Sequence, residues 1–478
     1  MLFNSVGFAI FLPVVFLLYW FVFNKHLRYQ NILLLASSYF FYATWDWRFL
    51  FLLMFSTLLD YYTGRRMSDA ATLGAKKFWF WLSIIVNLGF LGIFKYYNFF
   101  ADSFSQLVRS IGFHANPAYI NIILPVGISF YTFHGLSYVI DIYKNKIPAE
   151  RSFVDYAVFV SFFPLLVAGP IERATHLLPQ IKVPRTFNYS QAVDGLRQIL
   201  WGLFKKMVIA DNAAVYANFV FDNPAQQSGS NLVLGAVFFA FQIYGDFSGY
   251  SDIALGTARL FGINLLQNFS FPYFSRDIAE FWRRWHISLS SWFKDYLYFP
   301  LGGSRGGTWM KIRNTFIIFL VSGFWHGANW TFVVWGGLNA LFMVPLMLTN
   351  SNRNNLDIVA KGKLLPNLVE AGQIALTFCL TVFAWIFFRS DTLSQAFEYI
   401  GGIAHLSLFS IPHGFSKQYL LVAVFFFFIE WLGRENTYAI QTFAVGWRWP
   451  VRVAFYYTLI FLIMAFSAEE QQFIYFQF

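Results

Sequence analysis

Three of the eight histidines in this sequence, His134, His286 and His326, lie among apolar residues, and the last two are candidates for acid–base chemistry. His326 has apolar runs on both sides, where burial disfavours the charged imidazole and keeps a neutral proton acceptor available. Gly323 and Gly327, four residues apart, allow a second helix or a ligand to approach the backbone closely. A histidine hydrogen-bonded between helices for packing explains this pattern equally well.

The surroundings of His286 repeat with the period of a helix. Apolar residues recur at helical spacing and predict one amphipathic helix over 276–297. The imidazole follows Trp282 by four residues and precedes Leu289 by three, so we expect it on the apolar face. An interfacial anchoring helix, in which Trp and Arg are common, explains the segment as a whole but not the histidine on that face.

A glycine-rich turn, 302–307, follows this segment and is succeeded by Lys311 and Arg313. Such a turn ringed by cations could hold phosphates through backbone amides and charge, although a flexible loop explains it at least as well. The sequence carries no phosphate-binding lysine pattern, no dinucleotide fingerprint and no paired metalloprotease histidines. We therefore expect neither a metal nor a nucleic-acid partner.

Four ionisable residues lie at or near the ends of apolar runs: Glu172, Arg173, Asp246 and Asp252. Charged groups at such depth are expected to be paired. We interpret all four as structural ion-pair residues rather than catalytic ones.

The composition places the chain in a membrane. Of 478 residues, 58% are hydrophobic, 22% aromatic and only 12% charged, with a formal net charge of +10. A soluble protein with so few charges would expose large apolar patches, and disordered chains are poor in aromatics. The single cysteine, Cys379, excludes a disulfide framework.

Continuous apolar blocks predict an all-α polytopic protein with 10–14 transmembrane helices. The first block lacks the basic start of a signal peptide and is expected to be the first permanent span. Segment 96–111 is also expected to be amphipathic. The expected spans are 6–23, 30–44, 48–63, 78–95, 122–142, 154–168, 192–210, 231–247 (with a possible extension through 250–261), 314–327, 329–348, 371–388, 418–432 and 452–467.

Basic residues set the expected orientation, because short cytoplasmic loops are enriched in Lys and Arg. The first and third loops are basic, whereas the second carries only Arg48, which predicts an external N-terminus. The tail carries Glu469 and Glu470 without a basic residue, which predicts an external C-terminus and an even number of spans. No internal repeat or long linker is evident, so we expect one domain over 1–478, with N-terminal helices 1–122, a motif-bearing core 123–337 and C-terminal helices 338–478.

Taken together, these stretches resemble the membrane-bound O-acyltransferase family, in particular its branch that acetylates bacterial polysaccharides. His134 departs from the pattern, since glutamine is expected at its position. The matching motifs are 124–133, 168–173, 246–252, 281–286, 292–296, 300–303, 325–327 and 473–478.

The resemblance implies that His326 is the catalytic histidine, that His286 supports it, and that tilted helices surround a tunnel through the membrane. Acetyl-CoA would enter from the cytoplasm, and the acetyl acceptor from outside. Cations proposed for the CoA phosphates are Arg283, Arg284, Lys294, Arg305, Lys311 and Arg313. Residues proposed to line the substrate path are Trp282, Trp285, Trp325 and Asn329.

The resemblance also implies a bacterial inner-membrane location and a periplasmic or membrane-anchored polysaccharide acetyltransferase as partner. Two alternatives stay open at this point. One is D-alanyl transfer to teichoic acid from a carrier protein, and the other is a proton-coupled transporter or exporter. The acceptor polysaccharide, alginate or another glycan, is not determined by the sequence.

Overall fold

A computed structural model describes residues 1–113, 119–120, 124–167, 169–466, 471 and 473–474. Helices are the only regular secondary structure in these residues, which confirms the all-α fold class. Several sequence-based expectations lie outside the described residues: the span start at 122–123, Ala168, Glu469, Glu470, and most of the closing motif at 473–478.

Within the described residues, four helical stretches are long and apolar enough to cross a membrane: 73–110, 229–260, 330–348 and 368–389. Two shorter apolar stretches occupy 6–22 and 449–465. The chain is thus a multi-pass membrane protein, while the number of crossings stays a prediction.

The chain divides into two compact units, and the first contains residues 1–189 and 258–265. Short π-helical turns extend α1 over Leu18–Val22 and α3 over Gly92–Tyr96. The helices of this unit are α1 (Val6–Leu17), α2 (Leu27–Ser68), α3 (Leu73–Leu91), α4 (Tyr97–Ser110), α5 (Ile128–Tyr143), α6 (Phe153–Ser161), α7 (Phe163–Leu166) and α8 (Ala174–Ile181).

The second unit contains residues 190–257 and 266–478. The chain therefore changes units at 189/190 and around 258–265. Helices that lie wholly or mainly in this unit are α9 (Tyr189–Leu203), α10 (Asp211–Asp222), α11 (Gly229–Leu260), α12 (Ile278–Arg284), α13 (Ile287–Phe293), α14 (Gly307–His326), α15 (Trp330–Leu348), α16 (Leu368–Arg389), α17 (Leu393–Ile403), α18 (Lys417–Gly433) and α19 (Trp449–Ala465).

Two sequence expectations match the helices closely. The pair of spans 30–44 and 48–63 corresponds to α2, which is interrupted at Asp46, where the backbone is extended (φ −157°, ψ 109°). The possible extension of span 231–247 through 250–261 is present as the single long helix α11.

The expectation of one span over 154–168 is wrong, because the helix stops at Phe162 and restarts as α7. Pro164 lacks the N–H that would bond the carbonyl of Val160 in a continuous helix. That carbonyl instead lies 3.4 Å from Nδ1 of His134, whose Nε2 accepts the backbone N–H of Glu172 at 3.1 Å. His134 is therefore a hydrogen-bonded core histidine.

Helices α14 and α15 approach each other through glycines. A Cβ atom at Gly323 would collide with the carbonyl oxygen of Phe332, and one at Gly336 with that of Phe319. The predicted close approach at Gly323 is thus made by the next helix in the chain. This contact fixes the end of α14, where His326 lies.

Candidate active site

The segment that carries His286 is not the continuous helix that its periodicity predicts. Helix α12 ends at Arg284, Trp285 is extended, and His286 adopts the left-handed conformation (φ 44°, ψ 54°) before α13 begins. The expectation of one amphipathic helix over 276–297 is therefore wrong. The helix is interrupted because hydrogen bonds from a neighbouring segment, residues 268–270, replace helical hydrogen bonds at the break.

His286 is nonetheless buried, with 1% of its surface exposed. Its imidazole meets the ring of Phe247 on α11 edge to face, with centroids 4.7 Å apart. It also contacts the indole of Trp325 at 6.3 Å. Burial of His286 thus comes from tertiary packing at a break and not from a helix face.

His326 is the last residue of α14 and is 4% exposed. Its imidazole is surrounded by three aromatic rings: Trp325 at 4.8 Å, Trp335 at 5.2 Å and Phe388 at 5.4 Å between centroids. The next residue, Gly327, has no room for a side chain, because a Cβ atom there would collide with the ring of Phe332. Aromatic rings thus enclose the imidazole of His326.

The indole of Trp325 packs against the imidazoles of both His286 and His326, the two candidate histidines of the sequence analysis. They belong to the same compact unit. The structure therefore brings His286 and His326 into one aromatic cluster.

Of the four residues expected to line a substrate path, Trp282 and Trp285 both belong to this aromatic cluster. Trp282 packs on Trp335 at 5.6 Å and donates Nε1–H to Oδ1 of Asn339 at 3.2 Å. Trp285 packs on Trp385 at 5.1 Å.

Asn329 caps α15: its side chain accepts the N–H of Thr331 at 3.1 Å and donates to the carbonyl of Asp391 at 2.7 Å. These contacts make Asn329 a helix-capping residue that ties the loop after His326 to the loop after α16. No periodic signal in the sequence distinguishes this role from lining a path.

Sequence reasoning missed three rings of the cluster: Trp335, Trp385 and Phe388. Trp335 stacks on Trp385 at 5.6 Å, and Phe388 packs on Trp335 at 5.1 Å. All three lie on apolar helices where aromatic residues are abundant, so their types alone carried no signal. Their position beside His326 follows only from the packing of α15 and α16 against α14.

The paired arginines Arg283 and Arg284 make contacts within the protein. Arg283 donates to the carbonyls of Asn352 (2.9 Å) and Asn355 (2.7 Å). Arg284 forms an ion pair with buried Glu280 at 2.8 Å and also donates to the carbonyl of Asp357 at 2.8 Å. The two guanidinium groups thus hold the loop between α15 and α16 against α12.

Arg276 completes this attachment. Its guanidinium bonds both Glu280 at 3.1 Å and Asp357 at 2.8 Å. The hydrogen bond from Arg276 lowers the pKa of the Asp357 carboxyl below its usual value. The loop from Asn352 to Asp357 is therefore fastened to α12 by three arginines.

The other proposed phosphate ligands surround the glycine-rich turn. The ammonium of Lys294 lies over the ring of Phe299, and Arg305 is exposed. Lys311 donates weakly to Asn350 at 3.4 Å, and Arg313 bonds the carbonyl of Leu301 at 3.2 Å. Lys294 and Arg313 are exposed as well, and Arg305 is the exposed cation that lies within the turn itself.

Asp246 and Asp252 are paired with two lysines. The ammonium of Lys206 bridges Asp246 (2.8 Å) and Asp211 (2.7 Å), and that of Lys205 bonds Asp252 at 2.5 Å. Sequence reasoning overlooked these lysines although they interrupt an apolar span, which is itself a costly and informative placement.

In the first unit, Glu172 pairs with His176 at 2.8 Å. The guanidinium of Arg173 lies 3.5 Å from the carbonyl of Ile171. Both residues of this motif are buried. They lie beside the core histidine His134, which contacts the backbone N–H of Glu172.

The last residues that the structure describes, 471, 473 and 474, pack beside the aromatic cluster that contains His286 and His326. The N–H of Ile474 donates to Asp246 at 2.7 Å, and Lys206 donates to the carbonyl of Gln471 at 2.9 Å. The ring of Phe473 packs on Phe247, the same ring that meets His286. The buried charges thus hold this segment against the wall of the site.

Comparison with known proteins identifies the class of chemistry. The model of the membrane-bound O-acyltransferase family matches residues 144–355. The chain is 39% identical to a probable alginate O-acetylase of Pseudomonas aeruginosa over 399 residues, which are 83% of this chain and 73% of that protein. It is 37% identical to a peptidoglycan O-acetyltransferase of Helicobacter pylori, over 86% of this chain and 81% of that protein.

A teichoic acid D-alanyltransferase of Bacillus subtilis is more distant. It is 29% identical over 47% of this chain and 59% of its own length. The acetyl-transferring relatives are therefore matched over a much larger share of the chain than this D-alanyl-transferring one.

Proposed function

Because the chain belongs to the membrane-bound O-acyltransferase family, we propose that it transfers acetyl groups from acetyl-CoA for the O-acetylation of a polysaccharide outside the cell. The relatives that match most of the chain are named for acetylation of alginate and of peptidoglycan. Alginate or a similar exported glycan is the acceptor that this likeness favours.

The observation that carries the proposal is the enclosure of His326 by aromatic rings next to His286. A hydroxyl attacks a thioester productively when a base removes its proton, and a positioned imidazole contributes about 10²–10⁴-fold. We assign this role to His326. His286 orients the thioester or stabilises charge on its carbonyl oxygen.

The reaction balances without a further reactant. The acceptor oxygen bonds the carbonyl carbon of the thioester while the imidazole of His326 takes the hydroxyl proton. The carbon–sulfur bond then breaks, and the CoA thiolate recovers that proton from the imidazolium. Water must be kept out, because it would hydrolyse the thioester, and the rings around His326 serve that purpose.

We place the donor on the cytoplasmic side, where acetyl-CoA is made, and the protein in the bacterial inner membrane with both termini external. Exposed Arg305 in the glycine-rich turn is the first candidate for a CoA phosphate contact. A periplasmic or membrane-anchored acetyltransferase would receive the acetyl group and pass it to the glycan. The lipid bilayer is the remaining partner.

D-alanyl transfer from a carrier protein is the second candidate, supported by the partial likeness to teichoic acid D-alanyltransferases. Inside-out and right-side-out membrane vesicles that contain the protein are supplied with either acetyl-CoA or D-alanyl carrier protein, and the donor that labels the acceptor distinguishes the two candidates. We expect radiolabelled acetyl-CoA to label acceptor only when it reaches the cytoplasmic face. Label arriving only from D-alanyl carrier protein, with none from acetyl-CoA, would overturn the proposal.

A further inference from the structure

The break between α12 and α13 at His286 is not what the local sequence pattern predicts. The apolar residues of 276–297 recur at helical spacing, so the segment by itself favours one continuous helix. In the structure α12 and α13 are separated, and His286 takes a left-handed conformation that is sterically unfavourable for a residue with a Cβ atom. Contacts from elsewhere in the fold must therefore hold the break open.

Those contacts come from segment 268–270. The N–H of Ser270 donates to the carbonyl of Arg284 at 3.0 Å, and the N–H of Ile287 donates to the carbonyl of Asn268 at 2.9 Å. In a continuous helix that carbonyl would bond residue 288, and that N–H would bond residue 283. Segment 268–270 thus substitutes for helical hydrogen bonds on both sides of His286.

The side chain of Asn268 adds a third bond. Its Oδ1 accepts the hydroxyl of Ser288 at 2.6 Å, and both residues are 1% exposed. One residue therefore bonds the first two positions of α13 through two different groups, its backbone carbonyl and its side chain. Two such bonds fix the direction in which α13 leaves the break, and hence the direction of the imidazole just before it.

Segment 268–270 is itself anchored. The side chain of Gln267 donates to the carbonyl of Thr437 at 2.9 Å, and the ring of Phe269 packs on Trp285 at 5.1 Å and on Phe247 at 4.9 Å. Phe247 is also the ring against His286. The segment that contains Asn268 is therefore held in place by aromatic rings that also pack against or beside His286.

We propose that Asn268 is a positioning residue that holds His286 in its left-handed conformation through Ser288, so that the imidazole is directed towards Trp325 and His326. The inference depends on the proposed role of His286 in acyl transfer. It assigns the orientation of that imidazole to a residue eighteen positions earlier in the chain.

The test uses a double-mutant cycle in membranes that contain the full chain. Asn268→Ala and Ser288→Ala should each lower kcat by about 10- to 100-fold with little change in the KM for acetyl-CoA, because a small displacement of a reacting group has effects of that size. The double variant should be no worse than either single variant, since both remove the same bond. Ser291→Ala, which removes a bond to the carbonyl of Ser288 within α13 (2.9 Å) and leaves the Asn268–Ser288 bond in place, is the matched control and should keep full activity.

A second comparison separates positioning from general stability. In a His286→Ala background, Asn268→Ala should cause no further loss of rate, whereas a merely structural residue would lower activity further by reducing the amount of folded protein. Additive losses in the cycle, or equal kcat in Ser288→Ala and wild type, would overturn the inference. If activity does not depend on His326 at all, the proposed function fails; if it depends on His326 and His286 but not on the Asn268–Ser288 bond, only this inference fails. Should Asn268→Ala not accumulate in the membrane, Ser288→Ala decides the question.

Discussion

The imidazole of His286 and the indole of Trp325 contact each other with 6.3 Å between ring centroids and 57° between planes. The same indole lies 4.8 Å from His326, its neighbour in sequence. The two histidines come from different helical segments, so this shared ring defines their mutual arrangement. Trp325 is therefore part of the candidate site along with the two histidines.

Replacing Trp325 by Leu should lower acyl transfer strongly, because both imidazoles lose the surface on which they pack. We expect a decrease in kcat of about 100-fold, the size associated with misplacement of reacting groups. Activity in membranes, normalised to the amount of protein, measures it. Trp309→Leu is the control: Trp309 begins the same helix, is 79% exposed, and should tolerate the change. Similar rates in the two variants would contradict the role of Trp325.

Lys206 should be essential for stability, since it bridges two buried carboxylates. Lys206→Met leaves Asp211 and Asp246 without their shared cation, and breaking a buried pair in this way costs about 3–5 kcal/mol. We expect a clearly lower unfolding temperature of the purified protein in detergent. Lys361→Met, in an exposed loop, should leave that temperature unchanged. An unaltered unfolding temperature for Lys206→Met would show that the bridge contributes little.

The contact between α14 and α15 predicts opposite outcomes at two glycines. Gly323→Ala places a methyl group against the carbonyl of Phe332, and such overpacking typically costs about 1–3 kcal/mol. Gly337→Ala meets only Leu320 at 3.8 Å, an ordinary contact, so we expect no loss and up to about 1 kcal/mol gain from helix propensity. Unfolding temperatures of the two variants measure the difference. Equal stability would indicate that the helices can separate without cost.

Arg283 should hold the loop between α15 and α16, because its guanidinium bonds the carbonyls of Asn352 and Asn355. In Arg283→Met, trypsin should cut after exposed Arg353 several times faster than in wild type, as local opening becomes easier. Arg305→Met serves as the matched control and should leave this cleavage unchanged. It should instead weaken binding of CoA if Arg305 contacts a phosphate. Unchanged cleavage after Arg283→Met would remove the loop-holding role.

The sequence predicted those features that depend on local composition. Apolar blocks located most helices, and the polar sequence around Asp46 separated the two spans that the structure contains within α2. Isolated ionisable residues in apolar runs identified His286 and His326, since such placements are costly for any protein.

What the sequence could not give depends on partners distant in the chain. The period of 276–297 predicted one helix because nothing within the segment reveals that Asn268 and Ser270 bond its backbone. Similarly, Arg283 and Arg284 donate to carbonyl groups more than sixty residues away, and no local pattern reveals these contacts. Tertiary contacts override local preference at these points, and they cluster around the candidate site.

The most direct test of the account is the rate of acetyl transfer from radiolabelled acetyl-CoA to acceptor in membranes that contain His326→Gln. We expect a decrease of about 10²–10⁴-fold, the contribution of a general base, at a normal amount of protein and an unchanged unfolding temperature. His405→Gln, at an exposed position, provides the matched background rate and should behave as wild type. Transfer by His326→Gln at the rate of His405→Gln would contradict the central claim that this buried imidazole removes the acceptor's proton.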